Sequence, residues 1–191
     1  MEERQLNEKE SLELITRMIQ NTQQRLEKDH ALPFLVFGYI TVAVSIAVWY
    51  ALKQTQAQIW NLLWFLIPVL GSIILFAMNR KKTPVVRTYV DKIINYVWIV
   101  CGTTVVIASI MPTFGTKMPI LFVVALVISI GTTITGAISK VGLLVVTGSL
   151  GILASFAILS MQGLHSILFF GGIFLMMMVI PGHILYAKGR R

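Results

Sequence analysis

The sequence predicts an all-α polytopic membrane protein, with six transmembrane helices behind an N-terminal amphipathic cytosolic helix. The first observation is composition: 56% of the 191 residues are hydrophobic and only 13% charged, against about 25% charged in a typical soluble domain. The second is spacing. Apolar runs cover about 33–52, 58–78, 94–112, 118–138, 141–161 and 165–187, and none has Asp, Glu, Lys or Arg in its central part. About 20 apolar residues carry a helix across the hydrocarbon of a bilayer, and a helix satisfies its own backbone there. The runs are twice the length of the roughly 10-residue strands of a membrane barrel. The third is charge. Residues 1–31 hold five basic and seven acidic side chains, whereas residues 32–191 hold eleven basic ones and a single acid, Asp91. The chain therefore divides into a cytosolic helix, 1–31, and a six-helix membrane domain, 32–191.

The N-terminal element reads as a helix from a capping box, Asn7 with Glu10 three positions on. Leu12, Ile15, Ile19 and Leu26 fall on one face at about 100° per residue, and Glu13 and Arg17 can pair across one turn. A helix that lies on lipid has a polar face rich in Lys and Arg. This one is slightly acidic, so its stripe suits a protein groove, a second copy of the chain, or the base of its own bundle. Pro33 is expected to interrupt the helix where it meets the first span, since proline cannot donate the helical hydrogen bond.

Spans one and two are joined by the short link 53–57. The next link, "MNRKKTPVVRTYVDK" at 78–92, gathers Arg80, Lys81, Lys82, Arg87 and Lys92. Thr83-Pro84 should end the second helix. With the N-terminus in the cytoplasm, fourteen of the 16 Lys and Arg residues lie on that side, leaving only Lys53 and Lys117 opposite. That is the positive-inside pattern, and Trp49, Tyr50, Trp60 and Trp64 mark the outer boundary. The basic link faces lipid phosphate, where each cation near an anionic leaflet gains about 1 kcal/mol. Positive charge placed beside apolar runs makes the bilayer its counterpart and not nucleic acid.

Spans three to six are joined by the tight links 113–117, Lys140 and 162–164. On span four Ala125, Ser129, Thr133 and Ala137 recur every four residues, and on span five Thr147, Gly151 and Ser155 do the same. Small residues allow close helix approach in lipid, so the stripes predict a four–five interface. Left unpacked, they would line a hydroxyl-rich path for a neutral solute. Pro181-Gly182 is expected to kink or end span six. At the cytoplasmic rim Asp29, His30, Asp91 and His183 share one depth, and their convergence would make a metal or proton site. No nucleophile–base pair, phosphate-binding loop or metal-ligand spacing is present, so no catalytic residue, cofactor or metal is assigned.

The stretch "ESLELITRMIQNTQQRLEKDHALPFLVFGY" resembles a family of small, uncharacterised bacterial multi-pass membrane proteins that pair a short cytosolic helix with several spans. The likeness covers residues 10–50 and contains no catalytic motif. It implies a bacterial inner membrane and carries over no activity. The functional expectation is a non-enzymatic interaction or regulatory component that docks a protein partner, or a second copy of itself, through the N-terminal helix. The alternative is a permease or channel-like subunit for a small neutral solute.

Overall fold

Each apolar run forms a helix in the computed structural model, which describes residues 8–80, 89–115, 118–161 and 163–188 and, within 8–30, only the side chains of Leu12 and Glu13. Six helices are long and apolar enough to cross a membrane: Ala31–Thr55, Gln58–Met78, Tyr89–Ile110, Ile120–Ile138, Gly142–Ser160 and His165–Lys188. No strand occurs among the described residues. The chain is an all-α polytopic membrane protein, as the sequence predicts.

The expected break at Pro33 is absent. A single 48-residue helix, α1 (Glu8–Thr55), runs through the proline. Pro33 cannot bond the carbonyl four residues back, which weakens a helix in water by about 3 kcal/mol. Here Ala31 and Phe34 on either side are buried in the core, and that packing keeps the chain helical. The domain boundary at 31/32 therefore falls inside one helix. At about 1.5 Å per residue, residues 8–30 extend roughly 35 Å beyond the first span. The predicted cap at Asn7 lies outside the described residues.

Helix α1 stops at Gln56, whose φ of 53° is left-handed. The Thr55 hydroxyl accepts the Trp60 indole N–H at 2.8 Å and steadies the turn. Span two begins as a 3₁₀ segment, Gln58–Phe65, and continues as α2 (Leu66–Asn79). Then follow α3 (Tyr89–Ile110), α4 (Ile120–Ile138) and α5 (Gly142–Ser160). Span six has three parts: α6 (His165–Phe174), a π turn (Leu175–Val179) and α7 (Ile180–Lys188). Pro181-Gly182 thus does not end the span. Pro181 has no N–H for the Met177 carbonyl, and the π turn takes up that irregularity. His183 Nδ1 lies 3.2 Å from the Val179 carbonyl at the end of the same turn.

Span six is the centre of the bundle. Within its apolar stretch 56% of residues are buried, against 6% in span two. Helix α1 lies along it at glycine contacts. A Cβ on Gly38 would lie 2.9 Å from Val179, one on Gly171 3.0 Å from Ser45, and one on Gly182 2.9 Å from Leu35. The α4–α5 hairpin packs against α6 and the π turn. Helices α2 and α3 are attached at the edges, α2 to α1 and α3 to α4, with no extensive contact between them.

Candidate functional site: an apolar cleft between α2 and α3

Because α2 and α3 do not close on each other, a cleft of about 1350 Å³ lies between them. Small-molecule pockets usually measure about 300–1,000 Å³. The cleft runs the length of the bundle, from Leu32, Met78 and Asp91 at the end bearing the basic link to Gln58, Asn61 and Pro112 at the other. Its back wall is α1 and α6, with Phe34, Phe37, Thr41, Phe170 and Phe174. Two edge-to-face ring pairs brace the wall: Phe34 with Trp98 at 5.8 Å between centroids, and Trp64 with Phe170 at 5.3 Å. Such pairs add about 0.5–1.5 kcal/mol beyond area burial.

One face of α3 turns into the cleft. Asp91, Asn95, Trp98, Gly102, Val105 and Ser109 all line it, spaced alternately four and three residues apart, and Pro112 continues the row in the 3₁₀ turn Met111–Phe114. That is the period of a helix-packing seam, yet apart from the Trp98–Phe34 ring pair no helix packs along it. A Cβ built on Gly102 would meet nothing within 4 Å. Among the described residues Asp91, in the first turn of α3, is the one ionisable residue of the lining.

The small-residue stripes of α4 and α5 lie elsewhere, in a closed seam. Ser129 and Ser155 are fully buried and Thr147 nearly so. The hydroxyls bond within the bundle: Thr133 donates to the Ser129 carbonyl at 2.9 Å, Thr147 to Leu143 at 3.0 Å, and Ser155 to Ile152 at 2.7 Å. The Ser129 hydroxyl reaches Met177 Sδ at 3.1 Å. A Cβ on Gly151 would lie 2.6 Å from Ser129 Oγ and 2.9 Å from Met177 Sδ. The seam is helix packing, with the hydroxyls turned onto their own backbones or the neighbouring thioether. The sequence stripes missed its closest points, Gly136 and Gly148. A Cβ on Gly136 would sit 2.6 Å from the Val145 backbone nitrogen, and one on Gly148 would collide with Thr133. Gly148 stands three residues before Gly151, on the same helix face, which was a signal available for it; Gly136, five residues from Gly131, had no such partner.

The two described rim residues, Asp91 and His183, sit on different parts of the bundle. Asp91 faces the cleft from α3, while His183 on α7 lies 3.2 Å from the Tyr39 hydroxyl of α1. The reason is topological: α3 packs on α4, and α7 packs on α1. No group of three or more His, Cys, Asp or Glu that could hold a metal forms among the described residues. The side chains of Asp29 and His30 lie outside them, as do those of Ile15, Ile19 and Leu26 from the predicted docking stripe. Leu12, its fourth member, is 64% exposed. In the basic link, Arg80 is exposed above the Phe76 ring, 5.6 Å from its centroid, and Lys92 is exposed. Lys81, Lys82 and Arg87 fall outside the described residues. Comparison of the chain with protein-family models, with curated proteins and with solved structures found no match.

Proposed function

We propose that the protein is a non-enzymatic interaction component of the bacterial inner membrane. It binds a hydrophobic, membrane-resident molecule in the α2–α3 cleft, and it docks a protein partner or a second copy through the N-terminal helix. The cleft is the observation that carries the reading. In lipid no hydrophobic force draws helices together, and association rests on packing. Wall atoms that face a void lose their dispersion contacts outright. An apolar cleft that spans the bundle is therefore completed by something from the bilayer. The N-terminal role is supported by the continuity of α1, which joins the wall residues Phe34, Phe37 and Thr41 to residues 8–30 in one rod.

The orientation we propose has both termini in the cytoplasm, on the strength of the fourteen-to-two division of Lys and Arg and the positive-inside rule. The bacterial setting rests on the resemblance of residues 10–50. The solute-path alternative draws no support from the α4–α5 seam, where the hydroxyls are buried and bonded.

Native mass spectrometry of the chain released from bilayers by mild detergent tests the cleft. The wild type should carry lipid adducts, and Gly102→Trp should lose them while melting normally, because the indole enters open space. A wild type without adducts, whose melting is indifferent to added lipid, would falsify the reading.

A further inference from the structure

We infer that the cleft holds a neutral two-chain lipid of the diacylglycerol class, its uncharged head sunk below the membrane boundary among Thr41, Ser72 and Asn95. This rests on the cleft reading above and names the ligand class.

Hydrogen bonding places the head. At the Gln58 end the polar lining groups are already satisfied: the Asn61 amide donates to Gln58 Oε1 at 2.8 Å, and the Ser109 hydroxyl to the Val105 carbonyl at 2.8 Å. Towards the other end three are not. Thr41 is only 2% exposed yet lines the cleft from α1, as Ser72 does from α2 and Asn95 from α3. The Thr41 carbonyl accepts from Ser45, but among the described residues none of the three side chains makes a hydrogen bond. Elsewhere in the spans a hydroxyl returns to the carbonyl four residues back, as those of Thr104, Thr132 and Thr135 do. A polar group left unpaired in apolar surroundings is costly, so three of them on three walls of one cleft call for a partner. They form steps along it. Trp98, one turn beyond Asn95, meets Phe34 at 5.8 Å between ring centroids. Ser72 adjoins Gly71, where a Cβ would strike the Phe37 ring, and Thr41 follows Phe37 by one turn of α1.

Depth makes the head neutral. The first span runs Ala31–Thr55, and Thr41 stands about 15 Å along it at 1.5 Å per residue, near the middle of a hydrocarbon layer about 30 Å thick. A phospholipid keeps its phosphate in the headgroup layer and its esters at the hydrocarbon boundary, short of Thr41. Drawing a charge to that depth is expensive, and among the described residues no ionisable side chain lines the cleft there to offset it. A diacylglycerol carries no charge and can sink. Its hydroxyl and two ester carbonyls lie on neighbouring carbons, and Thr, Ser and Asn side chains can each donate to oxygens of this kind. Volume fits the tails. At roughly 30 Å³ per water-sized group, 1350 Å³ takes about forty-five such groups, close to the non-hydrogen atoms of a diacylglycerol with two long chains. A spanning helix about 30 Å long and 10–12 Å across displaces on the order of 3,000 Å³, more than twice the space.

The test places the full-length protein in bilayers of phosphatidylethanolamine, phosphatidylglycerol and diacylglycerol with matched chains, then weighs the lipid retained after mild detergent release. The expected result is diacylglycerol enriched roughly tenfold over either phospholipid, relative to their shares of the bilayer, the worth of one hydrogen bond to a group otherwise unpaired. Thr41→Val, which keeps the shape and removes the hydroxyl, should erase that enrichment while lipid is still retained, and Gly102→Trp should retain none. Melting curves show that the variants are folded; should Thr41→Val not fold, Ser72→Ala, at an exposed position, is read in its place. Equal or greater relative retention of a phospholipid by the wild type, or unchanged enrichment in the folded variant, overturns the assignment of the head and leaves the cleft reading standing. Retention of no lipid by the wild type overturns both. A stable dimer that Gly102→Trp dissociates makes a second copy the occupant and overturns the inference.

Discussion

Gly136→Ala adds one methyl group at one of the closest points between α4 and α5. The new carbon would lie 2.6 Å from the Val145 nitrogen, 2.8 Å from Leu144 Cβ and 2.9 Å from the Leu144 carbonyl carbon, and ordinary contact begins at 3.4 Å. The nearest obstacle is backbone in the first turn of α5, which cannot rotate aside. The helices must part by up to about 0.8 Å, the difference between 3.4 and 2.6 Å. A gap of that size forfeits a quarter to a half of each dispersion contact along the seam. Overpacking of this kind costs about 1–3 kcal/mol, and the better helix propensity of alanine returns at most about 1 kcal/mol. With the full return the net loss is up to about 2 kcal/mol, and the melting point falls by about 2–4 °C per kcal/mol for a chain of this size. Cys101 supplies the assay, because it is the only cysteine and is buried. A thiol-reactive dye reports unfolding in detergent as that thiol becomes accessible. Gly102→Ala is the control, since its methyl enters open space. If Gly136→Ala melts level with Gly102→Ala, the seam is not the close contact described.

Gly151→Leu should destabilise more than Ser129→Ala in the same dye assay. The leucine must displace both Ser129 and Met177, whereas the lost hydroxyl contact is worth about 0.6 kcal/mol; the reverse order would contradict the seam. In a Cys101→Ser background, single cysteines at Gln56, Thr116 and Gln162 should react with an impermeant thiol reagent in intact cells, and one at Thr83 should not. Labelling at Thr83 alone would invert the proposed orientation. Deleting residues 1–28 should leave insertion and melting unchanged and abolish a partner or self-association detected by co-purification. Retention of every partner, or an unfolded bundle, would count against docking by that helix.

The six spans were legible because a long apolar run is a one-dimensional property, readable without knowing any neighbour. The starts agree within two residues except the third, Tyr89 against 94, since that helix begins with charged residues at the membrane boundary. Pro33 was misjudged because the local rule against proline yields to packing, and the burial of Ala31 and Phe34 is not visible in sequence. The small-residue stripe on α4 was half legible. A four-residue repeat drifts about 40° per step round a helix of 3.6 residues per turn. Ala125 and Ser129 are accordingly buried, Thr133 half-buried and Ala137 exposed. The cleft was not legible at all. It exists because two edge helices attach to different neighbours, and its lining residues read as ordinary membrane side chains.

The openness of the α2–α3 cleft is most directly measured by disulfide trapping between Ser72→Cys and Gly102→Cys in native membranes, again with Cys101→Ser. Both positions line the cleft, from opposite walls. A disulfide requires Cβ atoms about 3.5–4.5 Å apart, and helices packed together have axes about 8–10 Å apart. With lipid between the walls, an oxidant should leave both thiols free, and each should still react with a small membrane-soluble maleimide. Rapid and complete formation of an intramolecular disulfide would show that α2 and α3 close on each other in the bilayer, with no room for a ligand.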